Sequence, residues 1–390
     1  MLRILNDCSL SAVVAGFVAV LIGFASSVAI VFQAAQSAGA DAHVIVSWIM
    51  ALGFGMGATC FLLSLWYRAP VITAWSTPGA ALLATSLGSI SYAEALGVFV
   101  FSGVLTLLTG VSGFFDKMMR LVPLPIACAM LAGVLFQFGL SVFDAMGSHV
   151  FLVGIMLMTY LVCKRLMPRY AVLFVLAAGV SFVVAESNGR LFADIPFELG
   201  ALVWVWPEWN VSALIGIGLP LYIVTMTSQN VPGVAVMRSS GYQTPVSPLI
   251  SWTGVASIVL APLGGFAFNL AAITAAICSG EECHKDPERR YVAGLSAGVF
   301  YLVAGLASSS VVALFAIFPA AMIAALAGIA LLGTIGMNLK NAMVDDGNRE
   351  AALITFLVTV SGISFFGIAS AFWGIVFGVI CLLISNIKAK

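Results

Sequence analysis

The sequence predicts an all-α membrane protein of about fourteen transmembrane segments, built as two inverted seven-segment repeats with short strand-like breaks in segments three and ten. Three observations carry that expectation. The chain of 390 residues is 62% hydrophobic and only 8% charged, with a mean hydropathy of +1.13, against about 25% charged residues in soluble domains. Its basic residues fall on one side of a fourteen-segment count. Three short motifs recur in the same order in the two halves.

A helical crossing needs about 20 apolar residues. Runs of that kind begin near Ser11, Val44, Thr77, Ala93, Pro123, Val150 and Ala171, then near Ser212, Pro248, Asn269, Tyr291, Pro319, Ala351 and Ala371. Fourteen such runs take about 280 residues, which excludes large extramembrane domains. Arg3 precedes the first run, Arg68 follows the second, Lys117 and Arg120 the fourth, and Lys164, Arg165 and Arg169 the sixth. Arg238 follows the eighth, Lys285, Arg289 and Arg290 the tenth, Lys340 and Arg349 the twelfth, and Lys388 and Lys390 close the chain. These are 15 of the 16 Lys and Arg. Arg190 alone falls on the other side, with Glu186, Asp194, Glu198 and Glu208. The positive-inside rule then puts both termini in the cytoplasm. No cleavable leader is expected, because the first apolar run continues past Ala29.

Seven segments per half would turn the second half upside down. "QSAG" at Gln36–Gly39 recurs as "RSSG" at Arg238–Gly241, each closing the first segment of its half. "PVITAWSTPGAA" from Pro70 recurs as "PLGGFAFNLAA" from Pro262, each opening the third, and "LAG" at Leu131–Gly133 recurs at Leu326–Gly328. The division is 1–205 and 206–390. Inverted repeats mark transporters that bind near the bilayer midplane.

The third and tenth segments start irregularly. Val71–Trp75 is β-branched and aromatic, hence extended; a helix then begins near Pro78, with Thr77 expected as its cap. The second copy reads "PLGGFAF" then "NLAAITAAI", with Asn269 expected as the cap. Irregular backbone at membrane depth requires a protein or water-filled surround. Two helix starts approaching from opposite faces would offer free N–H groups and positive dipole ends to an anion. Thr73, Trp75, Ser76 and Thr77 belong to the first break, and Phe266, Phe268 and Asn269 to the second; Trp75, Phe266 and Phe268 could clamp a planar ring. The other reading of the first break is a cytoplasmic turn after Arg68.

In the eighth segment, Tyr222, Thr225 and Gln229 fall at i, i+3 and i+7 and share one helical face, with Asn230 beside them and Pro232 freeing a carbonyl. They read as a polar wall or as interhelical hydrogen bonding, with Thr225 and Ser228 assigned to the latter. Ser26, Ser27 and Gln33 of the first segment read as packing. Glu94 is the one acid placed inside a segment, near its outer end. It is a candidate proton carrier, with an interfacial carboxylate as the favoured alternative.

Seven scattered cysteines suggest buried thiols rather than disulfides. Cys278, Cys283 and His284 fit no zinc spacing. The sequence shows no phosphate-cradling glycine loop, HExxH motif or hydrolase elbow, so no metal, cofactor or catalysis is expected, and with zero net charge nothing suggests a nucleic-acid partner.

"PVITAWSTPGAALL", "TSQNVPG" and "GGFAFNLAAITAAI" make the chain resemble, over nearly its whole length, the benzoate:proton symporter family of bacterial inner membranes. That family is similar in architecture to nucleobase and sulfate-type anion transporters. The resemblance implies a core of segments 1–4 and 8–11 moving against a gate of segments 5–7 and 12–14, with substrate between segments three and ten. Nucleobase relatives hold substrate with acids on segments eight and ten, where this chain carries Gln229, Asn230 and Asn269. The implied partners are a small aromatic carboxylate, a proton and the lipid bilayer; a homodimer is left open. Transport or exchange of another small anion is the alternative, ahead of a membrane enzyme or channel.

Overall fold

The computed structural model describes residues 7–113, 115, 123–186, 199–281, 283–363, 365 and 370–385. Arg3, Lys117, Arg120, Arg190, Asp194, Glu198, Lys388 and Lys390, and the side chains of Ser26 and Arg169, lie outside the described set.

The first half contains helices α1 (Leu10–Ser37), α2 (Ala42–Tyr67), strand β1 (Thr73–Trp75), α3 (Thr77–Ser86), α4 (Tyr92–Val111), α5 (Leu124–Ser148), α6 (Val150–Leu166) and α7 (Ala171–Glu186). The second contains α8 (Val211–Arg238), α9 (Val246–Leu260), β2 (Phe268–Leu270), α10 (Ile273–Ser279) and α11 (Tyr291–Leu306). It closes with α12 (Ser308–Ile317), α13 (Ala320–Met343), α14 (Arg349–Val360) and α15 (Ser370–Ser385). Small polar residues start the early helices by accepting orphan N–H groups. Ser9 Oγ accepts from Ala12 N at 3.2 Å, Asp41 Oδ1 from Val44 N at 2.9 Å, and Ser91 forms a capping box with Glu94.

Among the described residues, six helices are long and apolar enough to cross a bilayer, or eight if two bent pairs each count as one span. α1 bends by 43° between Leu10–Phe24 and Ser27–Ser37; Pro287–Leu306 meets Ser308–Phe315 at 63°. This is fewer than the fourteen segments expected. The interrupted α3 and α10, of 10 and 7 residues, are too short for a full crossing.

Glycines let helices approach where lipid supplies no hydrophobic drive. A methyl at Gly53 of α2 would lie 2.6 Å from Gly305 Cα of α11, and one at Gly254 of α9 would lie 2.6 Å from Leu107 N of α4. α2 therefore packs on α11 and α4 on α9, while α5 packs on α13 and α1 lies against both α3 and α11.

α8 is not a uniform helix. π turns occupy Leu214–Gly218 and Met226–Asn230, each ending two residues before a proline, Pro220 and Pro232. A proline lacks the N–H that would bond the carbonyl four residues earlier, and widening the preceding turn accommodates the gap.

Candidate functional site

The two breaks meet. β1 and β2 pair antiparallel, with Thr73 opposite Leu270, Ala74 opposite Asn269 and Trp75 opposite Phe268. Ser76 N donates to Ala267 O at 3.1 Å and Ala271 N to Ile72 O at 2.9 Å, extending the ladder beyond both strands. All six strand residues except Ala74 are buried. A two-stranded ribbon is marginal by itself, so its neighbours must hold it.

They do so through specific hydrogen bonds. Asn230 Oδ1, at the end of the second π turn, accepts from Leu270 N at 2.9 Å, and Ser257 Oγ of α9 accepts from Phe268 N at 3.0 Å. Thr73 Oγ1 meets Thr59 Oγ1 at 2.6 Å and Cys60 Sγ at 3.2 Å on α2. Two non-standard backbone positions shape the second break. Gly264 has φ +93°, and any side chain there would overlap the Trp48 ring. Ala267 has φ +43°, an uncommon conformation for a residue with a Cβ. Its carbonyl accepts from both Ser76 N and Asn269 Nδ2, the latter at 2.9 Å.

The helix starts differ from expectation by a few residues. Ser76, not Thr77, caps α3: its Oγ accepts from Gly79 N at 3.0 Å, and Thr77 is the first helical residue. Asn269 is not a cap; it lies inside β2, and α10 begins at Ile273 without a side-chain cap. The reason is the strand pairing, which keeps Asn269 extended opposite Ala74. At α3 most first-turn donors are already used. Pro78 has no N–H, Gly79 N bonds Ser76 Oγ, and Ala80 N bonds Ser76 O at 2.7 Å. α10 has only seven residues, so its dipole is weaker than the sequence suggested.

The proposed aromatic clamp also divides. Phe266 packs against Trp48 and Phe99, with centroids 5.6 and 5.5 Å away. Phe268 presses on Gly55 of α2 and is fully buried. Trp75 instead faces α1: its ring meets Phe24 edge-on at 4.9 Å, and its Nε1 donates to Ser27 Oγ at 2.8 Å. Phe24 lies 6.0 Å from Tyr301 of α11. A methyl on Gly23 would sit 3.2 Å from the Tyr301 hydroxyl and 3.8 Å from Thr274 Cγ2. α1, β1, α10 and α11 thus converge on Gly23, Phe24, Ser27, Trp75, Thr274 and Tyr301. Thr274 Oγ1 and Asn269 Oδ1 are buried without a hydrogen-bond partner, while Ile273 is 75% exposed at the start of α10.

On α8 the π turn at Met226–Asn230 shifts the register by one residue and so displaces Gln229 from the face that Tyr222 and Thr225 share. Asn230 rather than Gln229 reaches β2. Tyr222 bonds Thr109 of α4 and packs with Phe115, Met226 and Ile250. Thr225 Oγ1 is buried without a partner, and Gln229 is partly exposed. Glu94 joins two helix starts: Oε2 accepts from Ser91 N at 2.8 Å and Oε1 from Asn210 Nδ2 at 2.7 Å, while Asn210 Oδ1 caps α8. Sequence reasoning missed Phe24, Thr274 and Tyr301 and set Ser27 aside as packing. Thr274 was the most accessible of these, as the hydroxyl nearest a half-helix start; the aromatic partners had no local signal in a chain with 27 Phe.

Comparison with known proteins agrees with this architecture. The family model for the benzoate membrane transport protein matches residues 6–384. The chain is 45% identical over 375 residues to inner membrane protein YdcO of Escherichia coli (strain K12), covering 96% of each chain. It is 42% identical over 381 residues to the benzoate membrane transport protein of Acinetobacter baylyi, covering 97% of this chain and 96% of that one. In fold it is similar to the transmembrane domain of the cyanobacterial bicarbonate transporter BicA, with a TM-score of 0.55 at 16% identity over 97% of both chains. The chain is therefore a multi-pass membrane transporter rather than an enzyme, and it belongs to the benzoate membrane transport protein family.

Proposed function

We propose that this chain is a secondary active transporter that takes up benzoate or a related aromatic carboxylate together with a proton. The buried β1–β2 pairing carries the reading, because it sets two half-helix starts beside an aromatic cluster deep in the protein. The ring of the substrate lies among Trp75, Phe24 and Tyr301, and its carboxyl group faces Ser76, Thr77, Asn269 and Thr274. Thr73, Tyr222, Asn230, Phe266 and Phe268 hold the frame, and Gln229 borders the cleft. Relatives named as a benzoate transport protein and an inner membrane protein support both the substrate class and the bacterial inner membrane as location.

The same reading includes fourteen crossings in two inverted repeats, 1–205 and 206–390, with both termini cytoplasmic. The core is α1–α4 with α8–α12, including both strands, and α5–α7 with α13–α15 form the gate. Two features support the internal twofold. α2 packs on α11 while α4 packs on α9, the exchange that such an axis requires. The strand pairs are also centred on Ala74 and Asn269, one from each half. Core and gate rock against each other to alternate access.

The lack of a charged side chain in α1, α3, α9, α10 and α11 favours a second reading, exchange of another small anion without proton coupling. Proteoliposomes separate the two. Accumulation of labelled benzoate driven by an imposed inward pH gradient supports symport. Uptake that requires internal counter-substrate and ignores the gradient supports exchange, and uptake that never saturates defeats both.

A further inference from the structure

Resting on the symport reading, we propose that the coupled proton travels on the substrate itself. The site binds the undissociated aromatic carboxylic acid, whose O–H donates to Asn269 Oδ1.

The chain offers no other carrier at this depth among the described residues. α1, α3, α9, α10, α11 and both strands contain no Asp, Glu, His, Lys or Arg. α2 has only His43, at its second residue, and α8 only Arg238, in its last turn. The gate helices packed on α3 and α1 carry Asp144 near the end of α5, Glu186 as the last residue of α7 and Lys340 in the last turn of α13, all at helix ends. The other titratable side chains on the surrounding core helices are weak acids. Cys60 is bonded to Thr73, Cys278 contacts Ala15 O, Tyr222 is bonded to Thr109, and the Tyr301 hydroxyl borders Gly23.

Asn269 is an acceptor that lacks a donor. Its residue is fully buried and Oδ1 has no partner. Its orientation is set by Nδ2, which must donate to Ala267 O, the carbonyl that also receives Ser76 N from the start of α3. The orphan oxygen is thereby held beside the first half-helix. A carboxylate has nothing to donate to it and is repelled by it; a carboxylic acid supplies the missing proton. The acid's carbonyl oxygen needs only a neutral donor, and we assign that role to Thr274, whose hydroxyl is buried and unpartnered near the start of α10. A full negative charge would need more donors than α3 retains, since Ser76, Gly79 and Ala80 have already committed theirs. The cycle balances without protein chemistry: carboxylate and one proton combine in water on the entry side, and the acid dissociates after release on the other.

Binding of para-substituted benzoic acids of graded acidity, measured calorimetrically on the protein in lipid nanodiscs from roughly pH 3 to 7, tests this. Apparent affinity should be flat below each ligand's own pKa and fall about tenfold per pH unit above it, with the break moving from ligand to ligand. A break at one common pH for all ligands overturns the proposal by placing the proton on the protein, and leaves symport standing. Affinity independent of pH overturns it in favour of the bare anion. Absence of binding at every pH overturns the transport reading as well. Asn269→Asp installs a protein carrier and should convert the moving break into a common one; breaks that still follow the ligand remove Asn269 from the role.

Discussion

Ser76 and Thr77 show how finely the site depends on single residues. Both are hydroxyl residues at the start of α3, and the sequence favoured Thr77 because it precedes Pro78. The ladder bond from Ser76 N to Ala267 O holds Ser76 extended, which is the conformation an N-cap needs. Ser76→Ala should therefore lower stability by about 1 kcal/mol, whereas Thr77→Ala should change the detergent melting temperature little. Gly264 and Ala267 form a contrasting pair. Gly264→Ala would drive a methyl into Trp48 at φ +93°, so folded protein should be lost on size-exclusion chromatography. Ala267→Gly removes the left-handed penalty at φ +43° and should be neutral or stabilising by up to about 1 kcal/mol. Outside the membrane-spanning segments, burial pushes the Cys283 thiol up to about 11, with Arg290 partly opposing the shift. Near neutral pH it is a neutral, enclosed thiol. Maleimide should label the exposed Cys8 well before Cys283.

At the level of elements, α8 explains why a face read from ideal periodicity missed its target. A π turn inserts one residue, so the position below Thr225 is occupied by Asn230 and not Gln229. Asn230→Ala would leave Leu270 N unpaired in the interior, costing about 1–3 kcal/mol and loosening β2. Gln229→Ala should stay within about 0.5 kcal/mol of wild type, as differential melting would record. The prolines at 220 and 232 were visible in the sequence, but whether a proline produces a kink or a π turn depends on what the freed carbonyls meet. The half-helices were more legible. Extended β-branched residues ahead of Pro78 and a Gly-Gly pair ahead of Phe266 marked both breaks, since such patterns conflict with continuous helix. Glu94 belongs to this scale too, because it joins the starts of α4 and α8 rather than lying in the cleft. Glu94→Ala should lower the melting temperature slightly by removing the acceptors that join the two helix starts, and should leave benzoate uptake in proteoliposomes unchanged.

Across the whole molecule, polar groups from distant parts of the chain gather at one end. Asp7 lies 3.6 Å from Arg68 and 3.7 Å from Arg289, and its Oδ2 accepts from the Tyr291 hydroxyl at 2.9 Å. Arg68 donates to that hydroxyl at 2.8 Å and stacks over the ring. These residues flank α1, follow α2 and precede α11, which the charge pattern had assigned to a common side. Both arginines are nearly half exposed, so Asp7→Asn should cost no more than about 1 kcal/mol, and less in high salt. Hydropathy and the distribution of Lys and Arg were enough to mark a multi-pass membrane protein, and Pro, Gly and β-branched patterns its two interrupted segments. Those properties follow from transferring each stretch of chain between water and lipid, a local quantity. Which side chains meet between the segments is a different kind of fact. Trp75 met Phe24 and Ser27, Phe266 turned to Trp48, and Asn269 entered a strand because pairing, π turns and close helix contacts set the directions of side chains. Those directions depend on neighbours up to some 200 residues away in the chain, and a residue's own surroundings in sequence carry no record of them.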